Sequence, residues 1–354
     1  MSSVPTTPPG KSRFRVILTR VLQVFIVLCL IDGFVDIAYP ILKAAKGSLT
    51  THMPPRQFGY PLPIAEEDYV LPSDAARRRE PGISGIAGEY HSPRYNVSAD
   101  GMRSNGQPAP ENAHGYGLLL GSSVGFGAGV ADNRSLAAQL ERALNDVRVE
   151  NYAGLAQTIP ENTMRWYDVQ TRKGKPEFVI IAGVNFQLFR TCLEDPPPLE
   201  KQEHRNVLLY LGGRLIGSQS AQQDQHKLIC NSSHELDLAV RSSIMAVENA
   251  VAFARKQGIP FYIVYLPTPY DRNANVQHLI TLADFRSTLE VMRTMHERYH
   301  TELMKLGLPE VIDLSGAFPP ANLYFLDPAG HLSPEGNRII AERLAELLRN
   351  RMKQ

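Results

Sequence analysis

Two adjacent serines, Ser122 and Ser123, directly follow a short apolar run, Leu118–Leu120, in the stretch GYGLLLGSSVGFGAGV. A glycine-rich turn after a buried strand can hold a serine nucleophile, cradle a phosphate, or simply be a tight turn. The stretch lacks the Gly-Lys-Ser/Thr of a Walker loop, and its evenly spaced glycines do not fit a dinucleotide fingerprint. A phosphate or nucleotide site is therefore a distant alternative. A serine nucleophile fits the pattern if a general base lies elsewhere in the chain.

The candidate general base is His331, in the stretch FLDPAGHLSPEG near the C-terminus. Asp327, four residues upstream on the same loop, is placed to fix the imidazole tautomer. Asn185 comes just after a buried run, and its side-chain amide is a suitable donor to the oxyanion of a tetrahedral intermediate. The stretch NYAGLAQT, residues 151–158, also comes directly after a predicted strand. Together these residue types indicate acyl transfer through a serine.

The elements that must position these residues alternate between strands and helices. Short apolar runs predict strands at 116–120, 147–151, 178–182, 260–266 and 310–314. Between them lie stretches with helical spacing, such as the leucine stripe that follows Asp132, a suitable N-cap. The last helix is expected to start at Ser333 and Pro334. This alternation predicts one three-layer α/β domain over residues 114–354, with a parallel sheet covered on both faces.

The N-terminal third has a different character. Residues 1–12 are rich in Ser, Thr and Pro and are expected to form a disordered tail. Basic residues then precede an apolar run, which predicts an uncleaved membrane anchor, transmembrane or signal-anchor in type, over residues 13–42. An amphipathic helix packed on the protein is the alternative. Residues 43–113 are rich in Pro, Gly and charge and are expected to form a linker and an irregular N-terminal layer.

Composition limits the function classes. The 354 residues carry 37 Lys and Arg against 36 Asp and Glu, so a net charge of +1 argues against nucleic acid as a partner. The three cysteines show no metal-ligand spacing. Cys192 and Cys230 are compatible equally with a disulfide and with two buried thiols. They flank a polar insertion at about 190–235, whose length suggests a lid or binding loop.

Four short blocks, GSS, NYAGLA, GVN and the His331 loop, resemble in that order the SGNH, or GDSL-type, hydrolase superfamily over about residues 115–350. The resemblance makes Ser123 the nucleophile and implies an oxyanion site of the Ser123 N–H, the Ala156 N–H and the Asn185 amide. It also implies a flavodoxin-like sheet. The stretch RYNVSADGMRS, residues 94–104, is similar to a segment that precedes the first block in membrane-anchored bacterial members.

The sequence departs from the family pattern at four positions. Ser122 and Phe186 each replace an Asp, Ala156 replaces a Gly, and Asp327 lies one residue farther from His331 than in the family.

The resemblance implies a serine esterase or acyltransferase that acts, without metal or organic cofactor, on short acyl or O-acetyl esters. The expected substrate is an acylated small molecule or glycan outside the cytoplasm, in the periplasm or extracellular space. The departures favour an alternative, a catalytically silent domain that binds glycan or scaffolds an envelope assembly.

Overall fold

The computed structural model describes residues 61–65, 77–80, 83–192, 230 and 232–352. Four short strands come first: Arg77–Glu80 (β1), Ile83–Ala87 (β2), Tyr90–His91 (β3) and Asn96–Val97 (β4). The five strands of the main sheet follow: Tyr116–Gly121 (β5), Arg148–Asn151 (β6), Phe178–Ala182 (β7), Phe261–Tyr265 (β8) and Val311–Asp313 (β9). These five pair in parallel in the order β6-β5-β7-β8-β9. The sheet therefore has the strand order of flavodoxin-like, doubly wound folds.

Seven α-helices connect or follow these strands in the described part of the chain. They are Ser123–Phe126 (α1), Leu136–Leu144 (α2), Ile159–Lys173 (α3), Asn185–Thr191 (α4), Ser233–Gln257 (α5), Ala283–Lys305 (α6) and Pro334–Met352 (α7).

The three central strands, β5, β7 and β8, are buried on both faces, which matches their largely apolar sequences. Leu119, Ile180 and Val264 pack on one face in a cluster with residues of α2 and α7. Their chain neighbours point to the other face, where they pack with residues of α3, α5 and α6. The predicted α/β architecture with a parallel sheet is confirmed.

One predicted helix start is wrong. Ser135, not Asp132, caps α2, because the Ser135 side chain accepts a hydrogen bond from the Ala138 N–H. Asp132 instead begins a 3₁₀ turn and is buried against Arg103. At α7 the predicted cap is present, since the Gly336 N–H donates to Ser333 Oγ at 3.1 Å.

Cys192 and Cys230 form a disulfide with a Cα–Cα distance of 5.1 Å. Of the two readings of these cysteines, the structure therefore has the bridge. It closes the base of the predicted insertion, of which residues 193–229 lie outside the described residues. The predicted tail, 1–12, and anchor, 13–42, also lie outside them. Within the described ranges, no helix is long and apolar enough to cross a membrane.

Candidate active site

The turn after β5 separates the two adjacent serines. Gly121 has φ +145°, and a Cβ there would lie 2.1 Å from the carbonyl oxygen of Ala182 on β7, so only glycine fits. Ser122 is extended, and Ser123 is the first residue of the single-turn helix α1. Ser122 is 1% exposed, and its hydroxyl has no hydrogen-bond partner among the described residues. Ser123 therefore differs from its neighbour in having a polar partner.

That partner is His331. Ser123 Oγ lies 2.9 Å from His331 Nε2, and His331 Nδ1 lies 2.6 Å from Asp327 Oδ2. A carboxylate only accepts hydrogen bonds, so Nδ1 carries the proton and Nε2 accepts from the Ser123 hydroxyl. The side chains of His331 and Asp327 are 14% and 16% exposed. They are therefore largely shielded from water and still accessible to a substrate. Ser123 and His331 are 208 positions apart in the chain. Together with Asp327 they nevertheless form one continuous line of hydrogen bonds.

The loop that carries His331 absorbs the extra residue between Asp327 and the imidazole. Gly330 N–H donates to the Asp327 carbonyl at 3.1 Å, which closes a β-turn with Pro328 at its second position. Gly330 has φ +84°, a conformation that glycine adopts without steric cost. The Leu326 N–H then donates to the His331 carbonyl at 2.7 Å. The turn therefore doubles the chain back and brings the Asp327 carboxylate to Nδ1.

A tyrosine from a neighbouring loop holds this turn from outside. The Tyr270 hydroxyl donates to the Pro328 carbonyl at 2.9 Å. Burial raises the pKa of the Tyr270 hydroxyl, so it remains a protonated donor at neutral pH. Nothing in the sequence pattern singled out Tyr270, because its contact with Pro328 depends on the packing of two loops.

The three expected oxyanion donors follow neighbouring strands of the sheet. Ser123 follows β5, Ala156 follows β6, and Asn185 begins α4 just after β7. Because parallel strands end at one edge, these groups share the edge that carries Ser123. Asn185 Oδ1 is buried and has no hydrogen-bond partner among the described residues. The Asn185 amide is therefore not used to cap its own helix.

Ala156 has φ +63°, in the left-handed region. The family resemblance places glycine here, and the backbone does adopt the conformation that glycine favours. An alanine in this region costs about 1–2 kcal/mol. Alanine nevertheless retains the N–H, so the substitution removes no donor at this position.

Arg103 is a residue of the site that the sequence pattern does not indicate individually, although it lies within the stretch 94–104. Its guanidinium is fully buried and donates to the carbonyls of Phe126, Gly127 and Val130 at 2.5–2.6 Å. Its Nε also donates to Asp132 Oδ1 at 3.1 Å. Arg103 thus fixes the segment that directly follows α1.

Solved structures of ester hydrolases are similar to part of the chain. The lipase Lip_vut3 from a goat rumen metagenome is 15% identical, with a TM-score of 0.41, over 65% of this chain and 96% of its own. A member of the lipolytic G-D-S-L family from Veillonella parvula is 12% identical, with a TM-score of 0.37, over 65% of this chain and 96% of its own. An acetyl xylan esterase is 13% identical, with a TM-score of 0.35, over 65% of this chain and 98% of its own.

No protein-family model and no curated protein matches the sequence.

Proposed function

We propose that the protein is a serine esterase that uses Ser123 as its nucleophile. The observation that carries the proposal is the hydrogen-bonded line from Ser123 through His331 to Asp327. A hydroxyl in contact with an oriented neutral imidazole is the arrangement that activates a serine.

The residues define a balanced reaction. His331 Nε2 takes the Ser123 proton while Oγ bonds to the ester carbonyl carbon. The negative charge on the carbonyl oxygen is stabilised by the N–H groups of Ser123 and Ala156 and by the Asn185 amide. The alcohol then leaves with the proton from His331, and water, activated by the same imidazole, releases the acid from Ser123. If a sugar hydroxyl replaces this water, the site is an acyltransferase. Neither route needs a metal or an organic cofactor.

The proposed substrates are short acyl or O-acetyl esters of small molecules and glycans. We place the domain outside the cytoplasm, attached to a membrane through residues 13–42. The basic residues before the apolar run support this orientation. The Cys192–Cys230 disulfide supports it as well, because structural disulfides persist mainly in oxidising compartments. The balanced net charge is consistent with no role in binding nucleic acid.

The direct test is labelling of the purified full-length chain with a fluorophosphonate, followed by mass spectrometry of the modified peptide. We expect one label, on Ser123, and none on the Ser123→Ala variant. Ser122→Ala is the matched control: it removes the neighbouring hydroxyl, which has no partner among the described residues, and should label as the parent does. A parent chain that circular dichroism shows to be folded, yet takes no label, would instead support the silent glycan-binding or scaffolding domain.

A further inference from the structure

A cavity of about 560 Å³ opens at the carboxyl ends of β8 and β9. Its walls come from the loop after β8, the loop after β9 and one side of α6. Neither Ser123 nor His331 lines it. Its volume lies in the range of about 300–1,000 Å³ that is usual for small-molecule sites.

Aromatic rings form much of the wall. Phe318 and Tyr324 are stacked, with ring centroids 4.4 Å apart and an interplanar angle of 23°. Tyr270 stacks on His296 at 5.0 Å. An aromatic face is electron-rich and packs well against the partly positive C–H bonds of a sugar ring. Tyr324 is buried and stacked against the half-buried Phe318, so Phe318 is the ring of this pair that the C–H face of a sugar can contact.

The basic side chains of the cavity each have a carboxylate partner. Arg272 pairs with Glu297 at 2.9 Å, and His300 pairs with Asp313 at 2.9 Å. Arg293 pairs with Glu290, outside the cavity, at 2.7 Å. The cationic side chains are thus already compensated, which disfavours a phosphate or another anionic ligand. The described residues also contain no cluster of three or more side chains able to hold a metal ion.

Asp271 is the exception in this wall, because it forms no ion pair within the described part of the chain. Its carboxylate accepts from the Thr268 N–H at 2.7 Å and from the Thr268 hydroxyl at 3.1 Å. Burial raises the pKa of Asp271 to about 6, so it is still mainly ionised at neutral pH. A carboxylate has about four acceptor sites, which leaves capacity for hydroxyl donors from a ligand.

The cavity wall continues directly into the loop of His331. Tyr324 and Phe325 line the cavity, and Asp327 follows two residues later. Phe325 forms an antiparallel bridge with Leu332, and Tyr270 binds the Pro328 carbonyl from the cavity side. The cavity therefore adjoins the loop that carries His331.

We propose that this cavity is a saccharide subsite that binds a further sugar unit of an acylated glycan substrate. The inference rests on the proposed esterase function and names its substrate class. Phe318 packs against the sugar ring, and Asp271 accepts hydrogen bonds from its hydroxyls.

The test is the dependence of kcat/KM on chain length, measured for the full-length protein with acetylated xylo- and cello-oligosaccharides of one to four units. Each rate is divided by that of the same preparation on p-nitrophenyl acetate, which has no sugar. We expect the ratio to rise at least about tenfold between one and four units, the size of one good polar contact. Asp271→Asn and Phe318→Leu should each remove most of the rise. Asp146→Asn, an exposed aspartate before β6 at the opposite edge of the sheet, is the matched control and should keep it.

The outcomes separate the two proposals. A chain-length dependence that is absent in the parent, or unchanged in both cavity variants, overturns the subsite while leaving the esterase intact. The same holds if p-nitrophenyl acetate is cleaved and no acetylated oligosaccharide is. If the folded parent neither takes the phosphonate label nor cleaves p-nitrophenyl acetate, the esterase proposal itself is overturned.

Discussion

One carboxylate determines the direction in which the hydrogen bonds of the line Ser123–His331–Asp327 are donated. Asp327 contacts His331 twice, through Nδ1 at 2.6 Å and through the backbone N–H at 3.3 Å. The first contact selects the tautomer with a proton on Nδ1, and the second fixes the carboxylate relative to the loop. The Nε2 lone pair then faces Ser123, which is the state a general base must have.

We expect Asp327→Asn to slow phosphonate labelling and p-nitrophenyl acetate cleavage by about 10⁴-fold, the loss typical when a serine-triad histidine takes the wrong tautomer. The amide preserves the shape of the carboxyl group but offers a donor to Nδ1. Labelling half-times measured at fixed reagent concentration give the ratio. Asp284→Asn, an exposed change at the start of α6, controls for the loss of one negative charge. A fall of less than tenfold in the Asp327 variant would show that another group orients His331.

At the scale of elements, the nucleophile sits on a helix that is too short to be stable alone. One turn of helix fixes more backbone dihedrals than its hydrogen bonds repay, so α1 needs outside partners. Asn151 from β6 donates to the carbonyls of Gly125 and Phe126 at 3.4 and 3.3 Å. Arg103 donates to the Phe126 and Gly127 carbonyls, where a positive charge also suits the negative end of the helix.

Arg103 and Asp132 form a buried ion pair, and their attraction offsets part of the cost of removing both charges from water. Burial lowers the pKa of the Arg103 guanidinium and raises that of the Asp132 carboxyl, but each charge partly compensates the other. A buried charge without its partner is strongly destabilising.

We therefore expect Arg103→Lys, which cannot reach all four acceptors, to lower the free energy of unfolding by about 3 kcal/mol. It should also slow phosphonate labelling, by up to about 100-fold, because the Ser123 helix loses its anchor. Denaturant unfolding and labelling rates, taken where both proteins are folded, check the two effects. Arg165→Lys is the matched control: Arg165 is equally buried but pairs with Asp168 on α3. If both variants lose labelling in proportion to stability, Arg103 has a structural role alone.

Elements with a local signal could be predicted from the sequence, and contacts between distant segments could not. The apolar run before Ser123 and the polar–proline start of α7 are local, and both are where the pattern placed them. Asp132 and Ser135 are equally good caps by type. Ser135 caps α2 because the Asp132 carboxylate is bound by Arg103, 29 residues away in the chain.

The site residues show the same division. Ser123 and His331 could be predicted to lie together because the first follows a strand and the second precedes a helix, each with a clear pattern. The role of Asn185 stays a prediction. The left-handed conformation of Ala156 and the turn that returns Asp327 to His331 are set by backbone packing at the sheet edge. A residue count between Asp327 and His331 gives no indication of that turn.

On the scale of the whole molecule, the disulfide joins the end of α4 to the residues just before α5. Cys192 and Cys230 are separated by 38 positions. Closing a loop of that length stabilises the folded chain by about 4 kcal/mol in the chain-entropy model. Because α4 begins with Asn185, the bridge also restrains the helix that carries a proposed oxyanion donor.

The same bridge reports the compartment in which the chain folds. The sequence has three cysteines, so a bridged chain has one free thiol, Cys29, and a reduced chain has three. We expect acid-quenched cells that make the full-length protein to yield one alkylated cysteine per denatured chain before reduction and three after it. The Cys192→Ser/Cys230→Ser variant should give one in both conditions and so calibrates the count. Three alkylated cysteines before reduction would mean a reducing compartment, and would contradict a domain placed outside the cytoplasm, because a bridge between buried cysteines in an oxidising compartment persists through the quench.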